Sequence, residues 1–307
     1  MVPQLSLRHV IELVLSGNAY QRSSRQLISW NGMKAWIALL VFGASLPGQQ
    51  PSKLVLPDET AGYDRIVQTL VSAFDHVDIV ALGEDHWRRV DSDLRIALVR
   101  NPEFAKKVRF IVVEFGSTAQ QPTLDRYIRG EDVPLAELQQ VWKTTTQTSG
   151  IWDSPVYADF YAAVREVNKK LPAGAQVRVL AGDPPSGSGL GRDASAFSVL
   201  QQQVLKTHAK VLLIYGAGHL LHGVPGPIPR ITNLLDAAYP GSTFVVITAV
   251  PRPEYQEFER ALKTTARPVL VSLGKPPFRD LPAGQRADAF VYFGTGPDVD
   301  VKVSPDR

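Results

Sequence analysis

Two segments that lie far apart in the chain have the same form, a glycine followed three residues later by a histidine. Residues 83–86 read Gly-Glu-Asp-His, and residues 216–219 read Gly-Ala-Gly-His. Each follows an apolar, β-branched run, at 78–82 and 210–215, that is typical of a buried strand. Ligands bind outside the carboxyl ends of the strands in an open parallel sheet. We therefore expect His86 and His219 in one polar site.

Charged residues follow the other predicted strands as well. Glu114 follows the run at 109–113, and Asp183 follows the run at 176–181. An unpaired buried charge is costly, so charges that coincide at several strand ends indicate a shared site. For Asp183 the competing interpretation, a helix cap or a solvated loop charge, is the stronger one. Glu84 belongs to the same group because it lies inside the first glycine turn.

Two further residues are candidates through their positions relative to these turns. Arg95 lies on the helix predicted after the first turn, where it would either reach back toward Glu114 or remain a solvated surface arginine. His222 follows His219 by three residues, so the two imidazoles share a face if that segment is helical. The alternative for His222 is an ordinary surface histidine.

These residue types support two kinds of chemistry, and the sequence leaves both open. In the first, His86 removes a proton from water while a carboxylate orients the imidazole, and the water attacks an acyl carbon. In the second, histidines and a carboxylate hold a divalent metal that activates the water, with Zn²⁺, Mn²⁺, Co²⁺ or Fe²⁺ suited to nitrogen and oxygen ligands. The candidate metal ligands are His86, Glu114, His219 and His222.

The elements that must position these residues alternate between strand and helix patterns. Such alternation predicts an α/β fold with a mainly parallel central sheet and helices on both faces. Further strands are predicted at 243–249, 268–273 and 288–293. The chain beyond residue 252 has strand patterns with little helix, so its strands are candidates for antiparallel pairing at an edge of the sheet.

Composition excludes several classes of protein. The 307 residues carry a formal net charge of only +3 with scattered basic residues, so we expect no nucleic-acid partner. The absence of cysteine rules out disulfides, thiolate metal sites and cysteine nucleophiles. The sequence does not determine the oligomeric state.

The N-terminal region predicts export. A basic start at Met33 and Lys34, about a dozen apolar residues and a polar exit together predict a signal peptide at 33–50. The apolar stretch is too short to span a bilayer, so no transmembrane anchor is expected. We predict an extension at 1–50, a linker at 47–60, and a single α/β domain over 51–307. The domain would be periplasmic or extracellular, or cytoplasmic if 33–50 is not a signal.

Over most of residues 64–293, the chain resembles the superfamily that joins the haem-binding ChaN-like proteins, the Tiki metalloproteases and the erythromycin esterases. The resemblance rests on the paired Gly-x-x-His turns, the glutamate at Glu114 and the arginine at Arg95. Residues 121–130, Gln-Pro-Thr-Leu-Asp-Arg-Tyr-Ile-Arg-Gly, are similar to a ChaN-like segment. Residues 164–168, followed by a strand that ends in Gly-Asp, are more similar to the esterases.

The resemblance to the esterases implies hydrolysis of an ester. In that family the histidine of the first turn is the proposed base for opening a macrolide lactone, which gives this role to His86. Glu84, Glu114 and Arg95 would then orient the base or the water. His219 and His222 would complete the pocket.

The other branches imply different activities for the same turns. The Tiki proteins imply a metal-dependent peptidase, so the substrate would be a peptide rather than a small molecule. The ChaN-like proteins imply a haem- or iron-binding protein without catalysis, for which Tyr127, Tyr157 and Tyr215 are candidate axial ligands.

Overall fold

A mixed sheet of eight strands forms the centre of this computed structural model, which describes residues 54–147 and 150–304. The strands are β1 (Glu59–Ala61), β2 (Ile79–Glu84), β3 (Phe110–Ser117), β4 (Arg178–Asp183), β5 (Val211–Gly216), β6 (Thr243–Ile247), β7 (Val269–Ser272) and β8 (Ala289–Tyr292). Their order across the sheet is β1-β7-β8-β6-β2-β5-β3-β4. The strands from β8 to β4 in that order are parallel, whereas β7 is antiparallel to both β1 and β8. The prediction of a mainly parallel sheet with antiparallel C-terminal edge strands is confirmed.

Helices and short turns connect these strands. The α-helices are α1 (Tyr63–Ala73), α2 (Arg89–Arg100), α3 (Phe104–Lys107), α4 (Gln121–Arg129), α5 (Leu135–Lys143), α6 (Pro155–Asn168), α7 (Arg192–Val199), α8 (Ala217–Leu220), α9 (Ile231–Ala238) and α10 (Arg252–Ala261). A π-helical turn at Leu200–Val204 continues α7, and 3₁₀ turns lie at Thr118–Gln120, Ile151–Asp153, Ala173–Ala175, Leu205–Thr207, Phe278–Asp280 and Ala283–Gln285. In the described ranges, no helix has the length and apolarity of a bilayer-spanning segment.

Three details of the structure differ from the sequence-based expectations. The short strand β1 overlaps the end of the segment predicted as a linker at 47–60, and it pairs with β7 at the edge of the sheet. Strand β3 extends to Ser117, so Glu114 lies within the strand and not after it. Helix α10 occupies a region where little helix was expected. The predicted extension at 1–50, with its signal peptide, lies outside the described residues.

The helices cover both faces of the sheet, as predicted. The face on which a helix packs depends on its position in the chain. Helices α1–α6 pack on one face, called here the front face, and α7–α10 pack on the opposite, back face. The chain runs from β2 through β3 to β4 in one direction across the sheet, then returns through β5 to β6. Parallel crossovers are right-handed, so reversing the direction transfers the connecting helices to the other face.

The returning chain inserts β5 between β2 and β3, which creates a switch point in the topology. The connections after β2 and β3 lead to the front face, and the connection after β5 leads to the back face. Neighbouring strands whose connections diverge in this way leave a crevice at their carboxyl ends. The sequence motifs of interest lie at the ends of these strands.

Candidate active site

The front half of the site is built on Glu84, the last residue of β2. Side chains alternate along the strand, and because Val80 and Leu82 belong to the front core, Glu84 also faces α2 and α6. Its carboxylate forms a buried ion pair with Arg95 of α2. Glu84 Oε1 also accepts a hydrogen bond from the Tyr157 hydroxyl at 3.1 Å.

Arg95 is held from several sides. Its guanidinium lies over the rings of Phe115, Tyr157 and Phe160 at 4.9–5.5 Å, and its Nη2 donates to the carbonyl of Val156 at 2.9 Å. Its side chain is only 1% exposed, so the interpretation as a solvated surface arginine is wrong. Arg95 contacts Glu84 rather than Glu114 because the alternation along β3 directs Glu114 to the back face.

His86 is the third member of the front half. Its Nδ1 lies 3.0 Å from Glu84 Oε1, and its ring meets Trp152 edge-on with centroids 4.8 Å apart. Burial alone would raise the pKa of Glu84, but the charge of Arg95 and the bond to His86 outweigh burial and lower it. Since ionised Glu84 can only accept, Nδ1 carries the hydrogen and Nε2 is left free to take a proton.

The environment also affects the proton affinity of His86. Burial alone would lower the pKa of the imidazole, but the hydrogen bond and charge of Glu84, helped by Glu114, outweigh burial and raise it above 6.5. The side chain keeps 27% of its surface exposed, so solvent or a substrate can reach the ring. This combination is typical of a histidine that exchanges protons during a reaction.

The back half of the site is built on Glu114, which is fully buried in β3. Glu114 Oε1 accepts from Arg192 Nη1 at 2.7 Å, and Oε2 accepts from the backbone N–H of Gly216 at 2.7 Å. The Nε2 atom of His219 lies 3.5 Å from Oε1. His219 lies on α8 and is held from its other side by Asp193, whose carboxylate is 3.0 Å from Nδ1.

Asp183 extends the back half through Arg192. It is the buried last residue of β4, and its Oδ1 accepts from the Thr146 hydroxyl at 2.6 Å. Its Oδ2 lies 3.4 Å from Arg192 Nε. Burial raises the pKa of Asp183 to about 6, although Thr146 and Arg192 act in the opposite direction. Asp183 is therefore a buried member of the cluster and not a solvated loop charge.

Gly216 joins the two halves. A Cβ atom at this position would lie 3.0 Å from His86 Cε1, 3.3 Å from His86 Nε2 and 3.4 Å from Glu114 Oε2. The missing side chain thus leaves room for the imidazole, and the backbone N–H of the same residue holds the carboxylate. The two predicted glycine turns do converge on one site, with Gly216 and Glu114 between their histidines.

The structure places His222 elsewhere. Helix α8 ends at Leu220, so His222 does not continue the helical face of His219. Its Nδ1 lies 2.8 Å from Asp236 and its Nε2 lies 3.4 Å from Asp288. Burial would lower the pKa of this imidazole, but the two aspartates outweigh burial and raise it to about 9. Its partners are therefore two aspartates that belong to neither half of the site.

The side chains that meet at this site do not form a ligand set for a divalent metal. Among the residues that the structure describes, no three His, Asp or Glu side chains form a group that could hold one. Arg192 and the Gly216 N–H already use the two oxygens of Glu114, so a guanidinium supplies the positive charge beside this carboxylate. The donor set is that of an ion-paired polar site.

The three tyrosines considered as haem ligands are either enclosed in the protein or engaged by another side chain. Tyr157 and Tyr215 are fully buried, and Tyr157 donates to Glu84. Tyr127 is half-buried and lies under the guanidinium of Arg165 at 4.7 Å.

Several members of the site were not found from the sequence. Arg192 and Asp193 open α7, the helix after β4, and they hold Glu114 and His219. Asp183 was found because polar residues at strand ends were taken as members of the site. The same rule, extended across the loop between β4 and α7, would have included Arg192 and Asp193. Tyr157 was considered only as a haem ligand. Neither it nor Trp152 carries a signal for contact with Glu84 or His86, because aromatic residues in apolar segments are usually core residues.

Comparisons with known proteins support the fold. Neither a protein-family model nor a curated protein matches the chain. Among solved structures, a mutant of the erythromycin esterase EreC in its open conformation is similar with a TM-score of 0.54 and 12% identity, covering 78% of this chain and 96% of that one. A succinoglycan biosynthesis protein has a TM-score of 0.49 and 10% identity, covering 76% and 87%.

A third similar structure is ChaN of Campylobacter jejuni, described with cofacial haem binding. Its TM-score is 0.44 and its identity 13%, with 76% of this chain and 92% of that one covered. At such identities the likeness concerns the fold alone. The fold of this chain is therefore similar to that of the erythromycin esterase structure, in agreement with the resemblance in its motifs.

Proposed function

We propose that this protein is a hydrolase that cleaves an ester or amide with His86 as the general base and without a catalytic metal. The observation that carries the proposal is the pair of buried Glu84 and partly exposed His86, in which the free Nε2 of His86 lies beside Gly216 and Glu114. A carboxylate that fixes one nitrogen of an imidazole leaves the other nitrogen oriented and basic. Arg95 keeps that carboxylate ionised.

The proposed reaction begins with proton transfer from water to His86 Nε2. The water oxygen bonds to the acyl carbon as the carbonyl becomes an oxyanion, and the imidazolium then returns the proton to the leaving oxygen or nitrogen as its bond to carbon breaks. Arg192 carries N–H donors on the back half and remains 18% exposed, so it is the candidate to face the oxyanion.

The substrate belongs to a broad chemical class, a small-molecule ester or an amide of peptide type. Export to the periplasm or the cell exterior remains part of this proposal, because the segment at 33–50 that predicts it lies outside the described residues.

A substrate panel tests the proposed activity. We expect the purified protein to hydrolyse at least one member of a panel of p-nitrophenyl esters, lactones and peptides, at the same rate with and without chelator. His86→Asn should reduce kcat/KM by about 10²–10⁴-fold, the usual contribution of a general base. His208→Asn is the matched control, because His208 is exposed and has a φ of 53° that asparagine tolerates.

Two outcomes would contradict the proposal. The first is a panel without turnover together with a stoichiometric Soret shift on titration with hemin, which would favour haem binding. The second is a rate that chelator abolishes and Zn²⁺ or Mn²⁺ restores, which would favour a metal-dependent peptidase or esterase.

A further inference from the structure

A segment near the C-terminus, residues 299–304, runs along the turn that carries His86. We call this segment the C-terminal strap. The carbonyl of Val301 accepts from the backbone N–H of Arg89 at 3.0 Å, and the N–H of Val303 donates to the carbonyl of Trp87 at 2.8 Å. These two bonds form an antiparallel bridge that connects Lys302 with Arg88. The strap thus adds a short length of strand to the turn between β2 and α2.

Lys302 contacts the turn at the candidate base itself. Its Nζ donates to the backbone carbonyl of His86 at 2.9 Å and lies 2.6 Å from Asp85 Oδ2. One side chain therefore binds both residues that follow β2. Its charge also offsets that of Asp85, a carboxylate next to His86 in sequence.

The strap contacts a residue whose backbone is strained. Trp87 has a φ of 67°, which large side chains rarely adopt, and it directly follows His86. Its carbonyl is held by Val303, and its N–H donates to the Tyr157 hydroxyl at 3.4 Å. A strained conformation persists only when surrounding contacts determine it, and the strap supplies one of the two backbone contacts.

The strap is itself anchored to the body of the protein. Val299 and Val303 pack against the front core, and the hydroxyl of Ser154, just before α6, donates to the carbonyl of Val303. The same helix supplies Tyr157, which contacts both Glu84 and Trp87. The strap and α6 therefore hold the turn from two sides.

We infer that the C-terminal strap, through Lys302 and the Val303 N–H, positions His86 for proton transfer. This inference rests on the proposed hydrolase function. Lys302 is a positioning residue: it contacts the backbone of the base and none of the reacting atoms. Its removal should leave the fold and substrate binding in place and should change the geometry of the catalytic step.

The first test replaces the lysine. We expect Lys302→Met to reduce kcat by about tenfold to a hundredfold, as small misplacements of a reacting group do, while KM stays within about twofold. Lys302→Arg should recover most of the loss because arginine also donates to both oxygens. Lys275→Met is the matched control, since Lys275 is an exposed lysine paired with Asp58 on the β1 side of the sheet.

The second test needs no substrate and separates this inference from the proposed function. Hydrogen exchange should show lower protection of the Arg89 amide, and NMR should show displaced ring signals of His86, in both Lys302→Met and Val303→Pro. Val303→Ala, which keeps the N–H, should show much smaller changes. If wild-type protein hydrolyses nothing but these shifts appear, the proposed function fails and the structural role of the strap stands.

The inference is overturned if Lys302→Met matches Lys275→Met in kcat, in exchange at Arg89 and in the His86 signals. It is also overturned if Lys302→Met lowers kcat and the melting temperature together without changing the His86 signals, because that pattern indicates general destabilisation.

Discussion

Glu84 is the residue that determines the proton state of the candidate base. Its carboxylate is ionised because Arg95 and His86 outweigh the cost of burial, and the same carboxylate raises the pKa of His86. A higher pKa makes the imidazole a stronger base, but only the neutral form can accept a proton. The proposed activity should therefore rise with pH through a midpoint above 6.5.

Glu84→Gln tests this dependence. The substitution removes the bond and the charge that raise the pKa of His86, while burial, which lowers it, remains. We expect the acid limb of the pH profile of kcat/KM to move from above pH 6.5 to below it, with a lower plateau. The variant should also lose about 3–5 kcal/mol of stability, because Arg95 is left buried without its partner.

The profile must be measured under conditions where unfolding curves show the variant to be folded. Arg126→Gln is the control for loss of an ion pair as such, because the ion pair of Arg126 with Glu137 lies on the surface. Its pH profile should match that of wild type. An acid limb that does not move in Glu84→Gln would mean that a group other than His86 controls the activity.

At the scale of elements, alternation along neighbouring strands explains why the site has two halves. Glu84 ends β2 on the front face, and Glu114 lies in β3 on the back face. A sheet normally separates side chains on opposite faces. Here β5 lies between β2 and β3, and its last residue, Gly216, has no side chain. The imidazole of His86 and the carboxylate of Glu114 meet above its backbone.

Gly216→Ala should therefore reduce turnover. The added methyl would lie 3.0 Å from His86 Cε1, so the ring must move away from its position beside Glu114. We expect kcat to fall by about tenfold to a hundredfold, the usual effect of misplacing a reacting group. Gly174→Ala is the matched control, because a Cβ there meets no atom within 4 Å. Equal kinetics in the two variants would contradict this role of Gly216.

The sequence was sufficient for the positions of seven strands and for the convergence of the two glycine turns. Long apolar runs identify buried strands whatever their order in the sheet. The order itself was not predictable, because it depends on which strands pair over long distances. Without the strand order, the sequence could not show that Arg95 pairs with Glu84 instead of Glu114. It also could not place Arg192 between Glu114 and Asp183. The edge strand β1 was missed because three half-buried residues carry no alternation pattern.

At the scale of the whole molecule, the reversal of chain direction explains the location of the site. The first half of the chain builds the front face and supplies His86 with its partners, and the second half builds the back face and supplies Arg192 and His219. The carboxyl ends of β2, β5 and β3 bring the two sets together, because the connections diverge there.

His222, which lies outside this site, should contribute to the stability of the whole domain. Its pKa is raised from 6.5 to about 9, so its contribution is complete below pH 6.5 and disappears as the pH rises through 9. We expect His222→Gln to be less stable than wild type by about 1–2 kcal/mol at pH 6, since solvent screens aspartates that are 41% and 42% exposed.

Denaturant unfolding at pH 6 and pH 9.5 measures this contribution, and the difference between His222→Gln and wild type should nearly vanish at the higher pH. A difference that is equal at both values would show that the imidazole contributes by packing alone. Catalytic constants should be unchanged, because the partners of His222 are Asp236 and Asp288, which do not belong to the site.

The central claim is that His86 is the general base. The most direct test is chemical rescue of His86→Ala by added imidazole, with protein that has been treated with a chelator. With the ester on which wild type is most active, we expect the rate of the variant to rise with imidazole concentration. Among substituted imidazoles, the rate should rise with their pKa, as general-base catalysis requires. A rate that stays at the background level at every imidazole concentration, while wild type remains active, would contradict the assignment of His86 as the base.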